Sequence, residues 1–203
     1  MAARPAAHEA RALAVTTEMV KELRARTGAG VMDCRRALED ADGDFDRAAA
    51  ILRTKGLAAA AKRAGRVASE GVIEAYVHPG SRLGALVELN CETDFVARTE
   101  EFKKLARELA MQVAATSPRY ISKGDVPADV LAERRAALAR ESDGAGDAEV
   151  ERRLAEWLVD VSLLDQPYIR DAARRVGDLV ADATARIGEH VQVRRFARFK
   201  LGE

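Results

Sequence analysis

The sequence is short of aromatic residues, of cysteine and of any net charge, and each shortage narrows what the chain can be. Aromatics make up only 4% of its 203 residues, so a core must be assembled from small and aliphatic side chains. Lysine and arginine total 33 and aspartate and glutamate also 33, a balance that excludes the counterion-displacing basic coat of a general nucleic-acid binder. Two cysteines, Cys34 and Cys91, are too few for a disulfide framework and lack metal-ligand spacing. Buried, reduced thiols in a reducing, cytoplasmic setting are expected instead. No run of about 18 apolar residues occurs, so no membrane-spanning helix and no membrane partner is predicted. What is present is a 48% hydrophobic, 33% charged chain in which about a fifth of the residues are alanine, a composition that favours closely packed helices.

Residues 1–16 are Ala-rich, with Arg4, Arg11 and Glu9 but no apolar signal core, and read as a disordered leader. Residues 17–57 read as three short helices. Thr17 is the expected cap of the first, with Met19, Val20 and Leu23 on one face. Gly28 and Gly30 break it. The second, from about Met32 to Ala41, buries Cys34, Leu38 and Ala41. Asp44 caps a third, in which Phe45, Ala48, Ala49 and Leu52 repeat at helical spacing. So small a unit buries little core and mainly presents surface. Residues 58–70, with Lys62, Arg63 and Arg66 around an alanine run, read as a basic, helical, solvated linker.

From residue 71 to 203 the pattern is that of an α+β core domain. Ile73, Ala75 and Val77 alternate with Glu74, Tyr76 and His78, and Pro79-Gly80-Ser81-Arg82 supplies a turn. Ala85, Val87 and Leu89 then alternate in a second strand. A third strand is expected around Val191, Val193 and Ala197. Between them lie amphipathic helices: Phe102 to Val113 behind a Thr99 cap, Val150 to Leu164, and Ala173 to Ile187, with Ser142–Asp147 as an exposed loop. The fold class is helix-rich α+β: a three-helix module, then a three-stranded antiparallel sheet covered by helices on one face. Such a sheet leaves two edges and one face open, which predicts homodimerisation.

Catalytic chemistry is scarce. His78 and His190 read as surface residues at strand ends, and no local pattern joins either to a cysteine nucleophile. Gly28-Ala29-Gly30 lacks the lysine and hydroxyl residue of a phosphate loop and follows no strand. Arg194-Arg195-Phe196-Ala197-Arg198-Phe199-Lys200 interleaves cations and aromatics as single-strand binders do. With zero net charge, the preferred reading is an exposed strand face, arginines outward and Phe199 partly inward. Asn90-Cys91-Glu92-Thr93-Asp94-Phe95-Val96-Ala97 sets Phe95 on a short turn between strand and helix. From local pattern alone Phe95 either plugs that junction or projects as a hydrophobic wedge toward another protein.

The segments VKELRARTGAGVMDCRRAL, at Val20–Leu38, and NCETDFVA, with a basic Ala-rich linker between them, resemble the elongation factor Ts family. The resemblance runs from about Thr17 to the C-terminus and is to the short form, with a single core half. The family commonly has methionine where Val31 stands and lysine at Arg35 and Arg36, changes that keep bulk and charge. The resemblance implies a ubiquitin-associated-like module that docks on elongation factor Tu through Arg24, Val31, Met32 and Arg35. It implies that Thr93, Asp94, Phe95 and Val96 act near the magnesium and phosphate site of that GTPase, so that GDP leaves and GTP can rebind. It implies no catalytic residue, no metal and no cofactor of the factor's own, and no direct nucleic-acid partner. An adaptor whose core only dimerises is the competing reading. In that case Met32 would matter, and Asp94 and Phe95 would not.

Overall fold

A computed structural model describes residues 15–141 and 146–203, and the chain divides into two units that meet in sequence at Ala58 and Ala59. The expected leader lies outside the described residues but for its last two positions, as do positions 142–145 of the expected loop.

The first unit contains helices α1 (Thr17–Thr27), α2 (Val31–Asp40) and the start of α3 (Phe45–Arg63). Thr16, not Thr17, caps α1: its backbone is extended and its hydroxyl accepts the Met19 N–H at 3.2 Å, while Thr17 is already helical. Gly28 ends α1 at a φ of 71°, where its N–H reaches the Arg24 carbonyl at 2.7 Å. Asp44 caps α3 by accepting the N–H groups of Asp46 and Arg47 at 2.9 and 2.8 Å. Val20, Leu23, Cys34, Ala37, Leu38, Ala41, Ala48 and Leu52 form the core. The alanines among them let short helices approach closely. α3 continues to Arg63 because the Ala58–Ala61 run is strongly helix-forming and nothing breaks it, so the first half of the basic linker is helix.

The second unit is helix-rich α+β. Its elements are β1 (Glu70–Val77), β2 (Leu83–Cys91), α4 (Asp94–Ala97), α5 (Glu100–Thr116), α6 (Ala128–Glu141), α7 (Asp147–Val161), β3 (Pro167–Tyr168), β4 (Asp171–Arg175), α8 (Val176–Ile187) and β5 (Gln192–Lys200). β1, β2 and β5 form an antiparallel sheet in the order β1-β2-β5. Ala85, Val87 and Leu89 of β2 pack with Phe102, Ala106, Leu109, Ala110 and Val113 of α5 and with Val176 and Val180 of α8. Leu138, Val150 and Leu154 make a smaller core for α6 and α7.

The strands of this unit depart from the sequence expectations at three places. The alternation in β1 marks the strand, but the register places Val72, Glu74 and Tyr76 opposite Leu89, Val87 and Ala85 on the helix-covered face. Glu74 is tolerated there because Arg107 of α5 pairs with it at 3.7 Å. Ile73 and Val77 consequently face outward, 67% and 62% exposed. In β5 a register shift opposite Glu88 and Leu89 leaves Arg194 unpaired and inverts the phase beyond it. Phe196 packs against the core, Arg198 turns inward to donate to the Ala114 carbonyl at 3.0 Å, and Phe199 faces out at 69% exposed rather than partly inward. Finally, Ala173 lies in β4, not in a helix: α8 starts at Val176, after a two-stranded β3–β4 hairpin.

Candidate functional site

β2 ends at Cys91, and within two residues the chain enters α4, a single turn of helix. Thr93 is its cap, with the hydroxyl oxygen 3.5 Å from the Val96 N–H that it accepts. Ala97 is buried and Val96 packs on the core, which fixes the turn from below. Phe95 points the other way and is 77% exposed. Of the two readings the sequence left open, the plug is therefore excluded. Leaving a phenyl ring in water forgoes about 2 kcal/mol of burial, a cost with no return inside this unit. Asp94, beside it, pairs with Arg98 at 2.5 Å.

The turn is tied to the loop after α8. The Glu92 and Thr93 N–H groups both donate to Oε2 of Glu189, at 3.1 and 3.0 Å, and the Thr93 hydroxyl donates to Oε1 at 2.6 Å. In return the Glu92 carboxylate accepts the His190 N–H at 2.6 Å, and Arg66 stands 3.5 Å from it. Those two donors hold the Glu92 carboxyl below the usual carboxylate range, the backbone N–H first. His190 is buried, not a surface residue at a strand end. Its Nδ1 lies 2.8 Å from the Arg66 carbonyl, which can only accept, so Nδ1 carries the proton.

In the first unit the other candidate residues are all on the surface. Val31 and Met32 open α2, 49% and 60% exposed, and Arg35 follows within one turn of both. Arg24 is exposed in the last turn of α1. Val31, Met32 and Arg35 thus share one helix surface: an apolar pair beside a cation. Sequence reasoning missed Glu189, Glu92 and Arg66. The only local signal was Gly188, which ends α8 at a φ of 82° and throws the next residue off the helix axis.

Cys34 and Cys91 are both free and buried. Among the described residues no cluster of three or more histidine, cysteine, aspartate or glutamate side chains could hold a metal ion, and no helix is long and apolar enough to cross a membrane.

A family model described as Elongation factor TS matches residues 56–203. An Elongation factor Ts from Carboxydothermus hydrogenoformans is 53% identical over 195 residues, covering 93% of this chain and 90% of that protein. The chain belongs to the elongation factor Ts family. Another elongation factor Ts, from Caldanaerobacter subterraneus subsp. tengcongensis, is 52% identical over 93% of this chain and 98% of its own length. The exposed aromatic of this family member stands on a capped, tethered turn and offers shape and apolar area to solvent.

Proposed function

We propose that the chain is a guanine-nucleotide exchange factor that binds elongation factor Tu carrying GDP, promotes release of the GDP and so allows GTP to bind. It makes and breaks no covalent bond. Family membership supports the partner and the activity, and the outward Phe95 carries the residue assignment. In this reading residues 17–57 are a ubiquitin-associated-like docking module that uses Arg24, Val31, Met32 and Arg35. Residues 58–70 link it to the core at 71–203, and Thr93, Asp94, Phe95 and Val96 disturb the partner's magnesium and phosphate site. The factor works in the cytoplasm as a homodimer joined through the outer face of the sheet, where Ile73, Val77, Leu86 and Phe199 are all exposed.

The physics is a negative coupling. A factor that prefers the nucleotide-free partner must weaken nucleotide binding by the same free energy. A hundred-fold acceleration of release needs about 2.7 kcal/mol, which burial of one phenyl ring plus a few charge-assisted hydrogen bonds supplies. The test is stopped-flow release of fluorescent GDP from elongation factor Tu. Phe95→Ala should fold normally, because the ring has no role in the core, yet lose most of the acceleration. Unchanged release by that variant would sink the assignment.

A further inference from the structure

We propose that Glu189 is a positioning residue for the Phe95 wedge, holding the orientation of α4 from a loop 96 positions away in sequence. This rests on the reading of Phe95 given above. The Glu189 carboxylate accepts three hydrogen bonds from two consecutive residues: the N–H groups of Glu92 and Thr93, and the Thr93 hydroxyl. The hydroxyl has a single proton. Once it is given to Glu189 at 2.6 Å, the oxygen lone pairs are turned toward the Val96 N–H, which is the capping bond of α4. A four-residue helix has no stability of its own, so what fixes its cap fixes the direction in which Phe95 points.

The tether is reciprocal, which makes it stiff. Glu189 receives the backbone of the Glu92–Thr93 turn, and Glu92 receives the backbone N–H of His190. Each loop therefore presents a carboxylate to the other's amides. Gly188 lets Glu189 leave α8 at the angle this requires, with its own N–H on the Thr184 carbonyl at 3.0 Å. Without Glu189, two amides of the turn lose their acceptor and the Thr93 hydroxyl is free to rotate, so Phe95 samples several directions. The ring is still present, but it reaches the partner in the right pose only part of the time.

A double-mutant cycle on the full chain, read by fluorescent GDP release from elongation factor Tu at saturating factor, tests this. Glu189→Ala should lower the maximal release rate about tenfold. Glu189→Gln, whose amide oxygen still accepts both N–H groups while its NH2 cannot accept the Thr93 hydroxyl, should restore only part of it. In the Phe95→Ala background Glu189→Ala should cost nothing further, since there is no ring left to orient. A purely structural role would lower the rate in both backgrounds alike, and that result overturns the inference. If Glu189→Ala unfolds at the assay temperature, Glu189→Asp takes its place. It keeps the charge but is too short to reach the amides and the hydroxyl together, so a several-fold loss confined to the Phe95 background is expected. Impaired Phe95→Ala with wild-type Glu189→Ala and Glu189→Asp rejects the positioning role alone, whereas silent Phe95→Ala rejects the wedge and the positioning role together.

Discussion

The Cys91 thiol has no exposure to solvent and donates to the Thr93 carbonyl at 3.1 Å, directly beneath the candidate wedge. Burial, and after it the negative charge of Glu189, pushes its pKa up from 9.0 to about 11. The folded value exceeds the unfolded one, so as pH rises past about 9 the unfolded chain gives up this proton first. The stabilisation is complete below about pH 9 and is lost progressively toward about 11. Tyr168, raised from 10.0 to about 12 by burial and by the Glu108 carboxylate, adds a similar loss only above pH 10. Denaturant midpoints measured between about pH 8 and about pH 10 should therefore fall, and Cys91→Ala should flatten that fall. An equal slope in the variant would show that some other group titrates. Burial of Cys91 was legible in the sequence, because the residue closes a strand of alternating apolar positions. The exposure of Phe95 was not, since a short turn accommodates an inward ring as well as an outward one. Glu189 was invisible for a different reason: its partners lie 96 and 97 positions away, and no local pattern encodes them.

Among the elements, β1 and β2 position the turn that carries Phe95, and their pairing depends on Gly71. Its φ is 152°, and a Cβ at that position would lie 2.1 Å from the Leu89 carbonyl oxygen and 2.8 Å from the Asn90 Cα. Both obstacles are backbone, so the strand itself must move. Gly71→Ala is expected to cost about 2 kcal/mol or more of unfolding free energy, read from denaturant melts, and to loosen the end of β2 that carries Asn90 and Cys91. A loss under about 0.5 kcal/mol would mean that β1 shifts freely at its start. Periodicity found the three strands of the main sheet and the helices α5 and α7, because those signals are local, but it named no stripe for α6. It did not find the phase of β1: Ile73-Ala75-Val77 looks like a core face, yet Val72 and Tyr76 pack on the helices and Glu74 is paired to Arg107. Nor did it find the irregularity at Arg194, since an extra residue is defined only by the strand it opposes. The β3–β4 hairpin escaped because β3 is two residues long, too short for any repeat to register.

For the second unit as a whole, the inverted phase of β1 accounts for the sheet's outer surface. The register sets Ile73 beside Glu88 and Arg195, Ala75 beside Leu86 and Ala197, and Val77 beside Gly84 and Phe199. Two of these three rows are wholly apolar, and the third is an ion pair, Arg195 with Glu88 at 2.5 Å. A strand with apolar residues on both faces has two surfaces to cover, and α5 covers only one. A second copy stacked face to face would cover the other, with two sheets about 10 Å apart. Three strands about 4.8 Å apart and nine residues long or shorter present a flat footprint on the order of 400 Å² per copy. That is below the roughly 800 Å² per partner of a standard interface, so the dimer should be reversible and sensitive to dilution. Sedimentation equilibrium should show dimer at tens of micromolar and growing monomer as the protein is diluted. Ile73→Glu places a second carboxylate beside Glu88 on this face, and should give monomer at every concentration while leaving the helical circular-dichroism signal unchanged. A dimer of Ile73→Glu as tight as the parent would show that the chains meet elsewhere, and the open sheet face would then need a different occupant.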